Sequence, residues 1–211
     1  IAFGLNGTIL ASKVDLRASG QIFDVSGGTR VTANQLVLQS GPQGIGSPGQ
    51  TFGTSVNSLE ALVGFSASPP VAGGVYIENT GVTTLNIGGV DAGFSGVQVP
   101  INAAYGDIFI TTTGSLLIGE ASGDRVTGPN CVGLFASGDL KIFNNNANSV
   151  RSHFGAVSLS SGGAMEIGEF FTSRSANVRG FTSVNLMPSG PLVIRNGSTV
   201  RVDGTGDLFI M

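Results

Sequence analysis

The chain has no tryptophan and, in 211 residues, only one cysteine, one histidine, two tyrosines, two lysines and five glutamates. Charged residues make up 11% of it, against about a quarter in an average globular domain. Lys and Glu are among the residues that fill exposed helix faces, so their scarcity argues against a helical protein. A lone Cys131 excludes an internal disulfide and reads as a small buried apolar side chain. No apolar run approaches the roughly 18 residues of a membrane span, and no basic segment followed by an apolar one opens the chain. Ten basic residues against 13 acidic ones leave no footprint for nucleic acid or for an anionic lipid surface.

What is abundant is glycine, at 34 residues, within a composition that is 41% hydrophobic and carries a net charge of −3. That hydrophobic content is too high and that charge too low for disorder, so the chain is expected to bury a core. The longest run without glycine, 139–154, contains Asn144, Asn145, Asn146 and Asn148, which leaves no room for a long helix. The sequence begins at Ile1 without Met and ends inside a predicted strand, Asp207 to Met211, as a segment of a longer chain would.

Internal similarity is the informative signal. Val75-Tyr76-Ile77 leading to Leu85-Asn86-Ile87-Gly88, Ile108-Phe109-Ile110 leading to Leu116-Leu117-Ile118-Gly119, and Val157-Ser158-Leu159 leading to Met165-Glu166-Ile167-Gly168 share one template of two short strands around a corner. A second echo, Gly-Asp before an alternating apolar pair, falls at Asp107, Asp139 and Asp207. Apolar residues two apart bury one face of each strand. Further strands are expected at Lys13–Leu16, Gln21–Val25, Arg30–Thr32, Leu36–Leu38, Thr182–Leu186, Leu192–Ile194 and Thr199–Val202, with a helical turn around Ser58–Val63. A sandwich has no reason to repeat Leu-x-Ile-Gly, whereas stacked coils keep like residues at like positions. The offsets between copies, 31 and then 49 residues, require loops of unequal length. The expected fold is all-β: one parallel β-helix (β-solenoid) domain over 1–211 of about seven to nine coils, with loop excursions near 41–72, 89–105, 120–137 and 144–153.

From Leu59 to Ile118, and more loosely beyond, the run of Gly74-Val75-Tyr76-Ile77-Glu78-Asn79-Thr80-Gly81, Leu85-Asn86-Ile87-Gly88-Gly89-Val90 and Gly106-Asp107-Ile108-Phe109-Ile110-Thr111-Thr112-Thr113-Gly114 resembles the repeat region of filamentous-haemagglutinin-like bacterial surface proteins. These adhesins leave the cell by two-partner secretion or as autotransporter passengers. The resemblance implies a right-handed coil on the outside of a Gram-negative cell, acting as a stalk or adhesive fibre, with no catalytic residue to carry over. The Asn-Pro-Asn-type export signature of such proteins is absent from this stretch.

The chemistry-bearing residues point the same way. A β-helical polysaccharide lyase or hydrolase needs clustered carboxylates, and the acids here are scattered. Asp107, Asp139 and Asp207 read as Asx-type turns or solvated corners, and Glu120 and Glu169 as solvent-facing. His153, beside Arg151, has no upstream acid or serine elbow and reads as a solvated loop residue. Gly88-Gly89-Val90-Asp91-Ala92-Gly93 does not meet the calcium-binding Gly-Asp pattern. Asn144, Asn145 and Asn146 with Asn148 read equally as a stacked amide ladder or as a mobile polar loop, and Asn6-Gly7-Thr8 and Asn196-Gly197-Ser198 are turn dipeptides before they are sequons. No catalytic, cofactor-binding or metal-binding residue is assigned.

The expected function is a non-enzymatic, extracellular rod on the bacterial surface. Its partners would be glycans or proteins of a host or neighbouring cell, and sister chains stacking end to end, with no nucleic acid and no membrane insertion of this segment. A carbohydrate-active β-helix enzyme and a self-stacking filament subunit are the alternatives.

Overall fold

In a computed structural model the backbone is placed for residues 1–3, 7–64, 73–90, 93, 95–101, 106–119, 123–143, 148–168 and 175–211. The described chain begins with β1 (Ala2–Phe3), β2 (Ile9–Arg17), β3 (Phe23–Asp24), β4 (Thr29–Ser40) and β5 (Phe52–Val63). Three strands per turn follow: β6 (Val75–Asn79), β7 (Thr84–Ile87) and β8 (Gly96–Gln98), then β9 (Ile108–Thr112), β10 (Ser115–Ile118) and β11 (Arg125–Gly128). The third such turn is β12 (Val132–Ala136), β13 (Leu140–Ile142) and β14 (Val150–Ser152). The last two are β15 (Val157–Ser161), β16 (Met165–Ile167) and β17 (Asn177–Gly180), then β18 (Ser183–Pro188), β19 (Leu192–Ile194) and β20 (Thr199–Val202). β21 (Asp207–Ile210) closes the series.

Every paired strand lies parallel to its partner one turn away. β6, β9, β12, β15, β18 and β21 form the first face; β7, β10, β13, β16 and β19 the second; β8, β11, β14, β17 and β20 the third. The result is a parallel β-solenoid of about 7 turns, with no helix among the described residues. A regular turn takes 24 residues from Ser115 to Asp139 and 25 from Asp139 to Ala164.

Register explains the core. Ile77, Ile110, Leu134, Leu159 and Leu186 stack on the first face; Leu59, Ile87, Ile118, Ile142 and Ile167 on the second; Val97, Val126, Val150 and Val178 on the third. All are buried, in one cluster that runs from Val14 to Leu186. Since strand side chains alternate sides, a one-residue slip would turn a whole ladder out to solvent, so the aliphatic positions fix the register.

The Leu-x-Ile-Gly repeat marks the corner after the second face. Gly88, Gly119 and Gly168 all have positive φ there, and a Cβ on Gly88 would lie 2.0 Å from the Asp124 carboxyl carbon. The 49-residue offset is two turns: Ile142 stacks between Ile118 and Ile167, but Phe143 stands where the other corners have glycine.

Three expectations are corrected. Ser58–Val63 is the end of β5, not a helical turn, because Leu59, Ala61 and Val63 alternate inward. The stretches 41–72, 89–105, 120–137 and 144–153 are not purely loops: they carry β5, β8, β11 with β12, and β14. These third-face strands escape notice because β8, β11 and β14 each bury a single valine, flanked by polar residues or glycine. The template is therefore three strands per turn rather than two.

β5 joins two cross-sections. Its residues Phe52–Thr54 pair with β6, Ser58 and Leu59 with β7, and Ala61 and Leu62 with β8, so one continuous strand underlies three separate ones. The backbone of Val56 falls in the gap between β6 and β7. The buried Asn79 side chain fills it: Oδ1 accepts from the Val56 N–H at 2.9 Å and the Thr54 hydroxyl at 2.9 Å, and Nδ2 donates to the Val56 carbonyl at 3.1 Å. The amide thus stands in for a missing peptide of the ladder.

Two predictions follow from this packing. Asn79→Ala, which leaves both Val56 backbone groups buried and unpaired, is expected to cost about 2–4 kcal/mol in urea denaturation followed by far-UV circular dichroism. Ile118→Ala is expected to cost about 2–5 kcal/mol in the same assay, while Leu117→Ala, pointing outward from the same strand, costs under about 1 kcal/mol.

Candidate functional site

The three Gly-Asp aspartates do not converge. Asp107 opens the first face and Asp139 the second, and each bonds to adjacent turns. Asp107 accepts from the Cys131 N–H at 3.0 Å and from the Tyr76 hydroxyl at 3.3 Å, and Asp139 accepts from the Ala164 N–H at 2.9 Å. They staple one turn to the next rather than capping their own turns, as the sequence had implied. Asp207 is exposed on β21. Burial and the neighbouring Asp107 carboxylate push the Tyr76 phenol up to about 12, so it stays a proton donor in this contact. Cys131 is half-buried, more open than expected, with a free thiol. Glu120, Glu169, Asn6, Asp91, Ala92 and Asn144–Asn146 lie outside the described residues. Glu60 and Asp124, which the sequence reading passed over, are buried; Glu60 accepts from the Val90 N–H at 3.3 Å.

Tyr76, Phe109 and Phe135 stack on the outer side of the first face. Ring centroids are 5.8 and 6.3 Å apart, with interplanar angles of 17° and 5°. Gly133 makes room for them: a Cβ there would lie 2.5 Å from Phe109 and 2.8 Å from Phe135. The faces of these rings are occupied by one another, which makes the ladder a strut rather than a platform for sugar rings.

The most concentrated charge lies on the third face. Arg151, Arg179 and Arg201 occupy equivalent outward positions on β14, β17 and β20. Successive guanidinium groups are therefore set one rung apart, about 4.8 Å along the sheet. Asp203 bridges two of them, with Oδ2 2.9 Å from Arg179 Nη2 and Oδ1 2.8 Å from Arg201 Nε. The Asn148 side-chain oxygen bridges the overlapping pair, accepting from Arg151 Nη1 at 3.2 Å and Arg179 Nη1 at 3.4 Å. Arg151 Nε is buried without a hydrogen-bond partner. Among the described residues, the three arginines of the ladder thus have one carboxylate between them, in ion-pair contact with Arg179 and Arg201. Burial first, and then Arg179, pull Arg151 below the ordinary arginine value.

His153 follows β14 at the same corner, beside Phe154, their ring centroids 6.4 Å apart. It is half-buried, not freely solvated as expected. Its pKa is lowered, by burial first and then by Arg151 and Arg179, with Asp203 opposing. For Asp203 burial acts to raise the pKa, but the hydrogen bond and charge of Arg179 and the charge of Arg201 outweigh it and hold the carboxyl below its usual range. The sequence showed Arg151 beside His153; only the register brings Arg179, Arg201 and Asp203 to them. The signal available was a Val-Arg pair in three segments, Val150-Arg151, Val178-Arg179 and Val200-Arg201.

The fold thus defines the protein's class as a parallel β-solenoid whose polar side chains tie turns together and whose third face carries a ladder of arginines. No protein-family profile matches the chain, and neither does any curated protein or solved structure.

Two measurements check this electrostatic account. His153 is expected to titrate below the ordinary histidine value of about 6.5 and so to be neutral at pH 7, read by NMR from the only imidazole in the chain. Asp203→Asn is expected to lower the melting temperature near neutral pH. Because a depressed carboxyl pKa contributes its full stabilisation above the unfolded value of about 3.9 and loses it as the pH falls through the lower folded-state value, that difference should shrink on acidification below about pH 4.

Proposed function

We propose that this chain is a non-enzymatic rod segment of an extracellular bacterial surface protein of the filamentous-haemagglutinin-like type, serving attachment to other cells. The observation that carries the reading is the unbroken stacking of inward aliphatic side chains from turn to turn. Each buried Val, Leu or Ile contributes about 1.5–3 kcal/mol relative to exposure, so the repeat yields a stiff shaft from a simple sequence. The outward rows support it: Thr111 and Ser160 flank Phe135, and Ser158 and Asn185 continue the row of Phe109 and Gly133. Such a surface is low in charge and suited to contact rather than to catalysis. The resemblance of Leu59 to Ile118 to adhesin repeats supplies the location and the role.

The test is incubation with a panel of acidic and neutral polysaccharides, with product length measured by size-exclusion chromatography, alongside retention of cells on protein-coated beads. The expected result is cell retention with every polysaccharide left at full length. Reproducible chain cleavage that persists on repurification would assign the protein to the carbohydrate-active enzymes instead.

A further inference from the structure

We propose that the arginine ladder of the third face, Arg151, Arg179 and Arg201, is a binding site for a carboxylate-bearing glycan lying along the axis of the solenoid. The proposal adds a ligand site on the third face of the rod and rests on the rod reading in that this surface is non-catalytic.

The protein itself shows what the ladder accepts. Asp203 spans Arg179 and Arg201, one oxygen to each guanidinium group. The pair one turn earlier, Arg151 and Arg179, converges in the same way on a single acceptor, but that acceptor is the neutral amide oxygen of Asn148. Arg179 and Arg201 share one carboxylate, whereas Arg151, among the described residues, meets only a neutral amide, so three guanidinium charges face a single negative one. A carboxylate arriving at the second pair adds the charge that Asn148 lacks, and charge-assisted bonds to Arg are about twice as strong as neutral ones.

The apolar surface beside the ladder favours a glycan among carboxylate ligands. A single uronate carboxylate satisfies the site, because, among the described residues, only the Arg151 and Arg179 pair of the ladder lacks one of its own. Phe154 and Phe181, 57% and 43% exposed, follow β14 and β17 at the adjoining corner and offer apolar surface to sugar rings.

The experiment titrates a short oligogalacturonate, and its methyl-esterified counterpart, into the intact chain at low salt. Binding is followed by calorimetry and by the NMR signals of the His153 ring. The acid form is expected to bind and to shift those signals, the ester to do neither, and binding to weaken as salt rises from about 0.05 to 0.5 M. Arg151→Gln is expected to weaken binding about tenfold. Asp203→Asn, which unmasks the Arg179 and Arg201 pair, is expected to strengthen it several-fold, a gain that a purely structural role for the ladder does not produce. Melting curves establish that each variant is folded, and Arg151→Gln carries the test if Asp203→Asn is not. Absence of heat and of His153 shifts at millimolar acid probe, equal binding of the ester, or equal binding of oligoaspartate or a DNA oligonucleotide would each overturn the proposal. Probe length is checked after each titration: cleavage refutes the rod, whereas an intact but unbound probe refutes the ladder site alone.

Discussion

In-register stacking of parallel strands is the constraint from which the remaining features of this molecule derive. Each backbone group that a turn leaves unpaired must be met by the turn above or below, and each inward side chain must lie on an equivalent one. This is why aliphatic positions persist through the chain while its lengths between strands vary. It is also why departures from regular stacking are mended by side chains. Asn79 supplies a surrogate peptide where β5 runs beneath the gap between β6 and β7, and Asp107 and Asp139 tie their corners to adjacent turns.

The architecture was largely legible in the sequence because its two best-patterned faces advertise it. Leu85-Asn86-Ile87 and Leu116-Leu117-Ile118 are stacked neighbours, and Met165-Glu166-Ile167 lies two turns further on. The third face was not legible, since a strand that buries only Val97, Val126 or Val150 carries too little periodicity to stand out from a loop. The turn containing Phe143 was read as a strand opening at Asp139 but not as a copy of the Leu-x-Ile-Gly template, because its corner dispenses with the glycine.

The charged ladder was hidden for a third reason. Arg151, Arg179 and Arg201 are unremarkable one by one, and intervening segments of unequal length obscure their equivalence until the register is known. The same holds for the aromatic stack, where Gly133 looks like a defect in a strand but gives Phe109 and Phe135 the room to meet. In a solenoid, chemistry is assembled across the axis of the sequence, one residue from each winding, so motifs confined to adjacent residues say little about it.

Because the hydrogen bonds between turns run along the long axis, a tensile load applied from end to end acts on them directly. Lateral pulling on one face would shear many of them together; axial tension instead peels the last winding while the others stay intact. Each released winding lengthens the tether by its own contour before the next one yields. Under such a load a stack of this kind would give way one winding at a time, at a force set by a single layer and over a reach that grows with the number of layers.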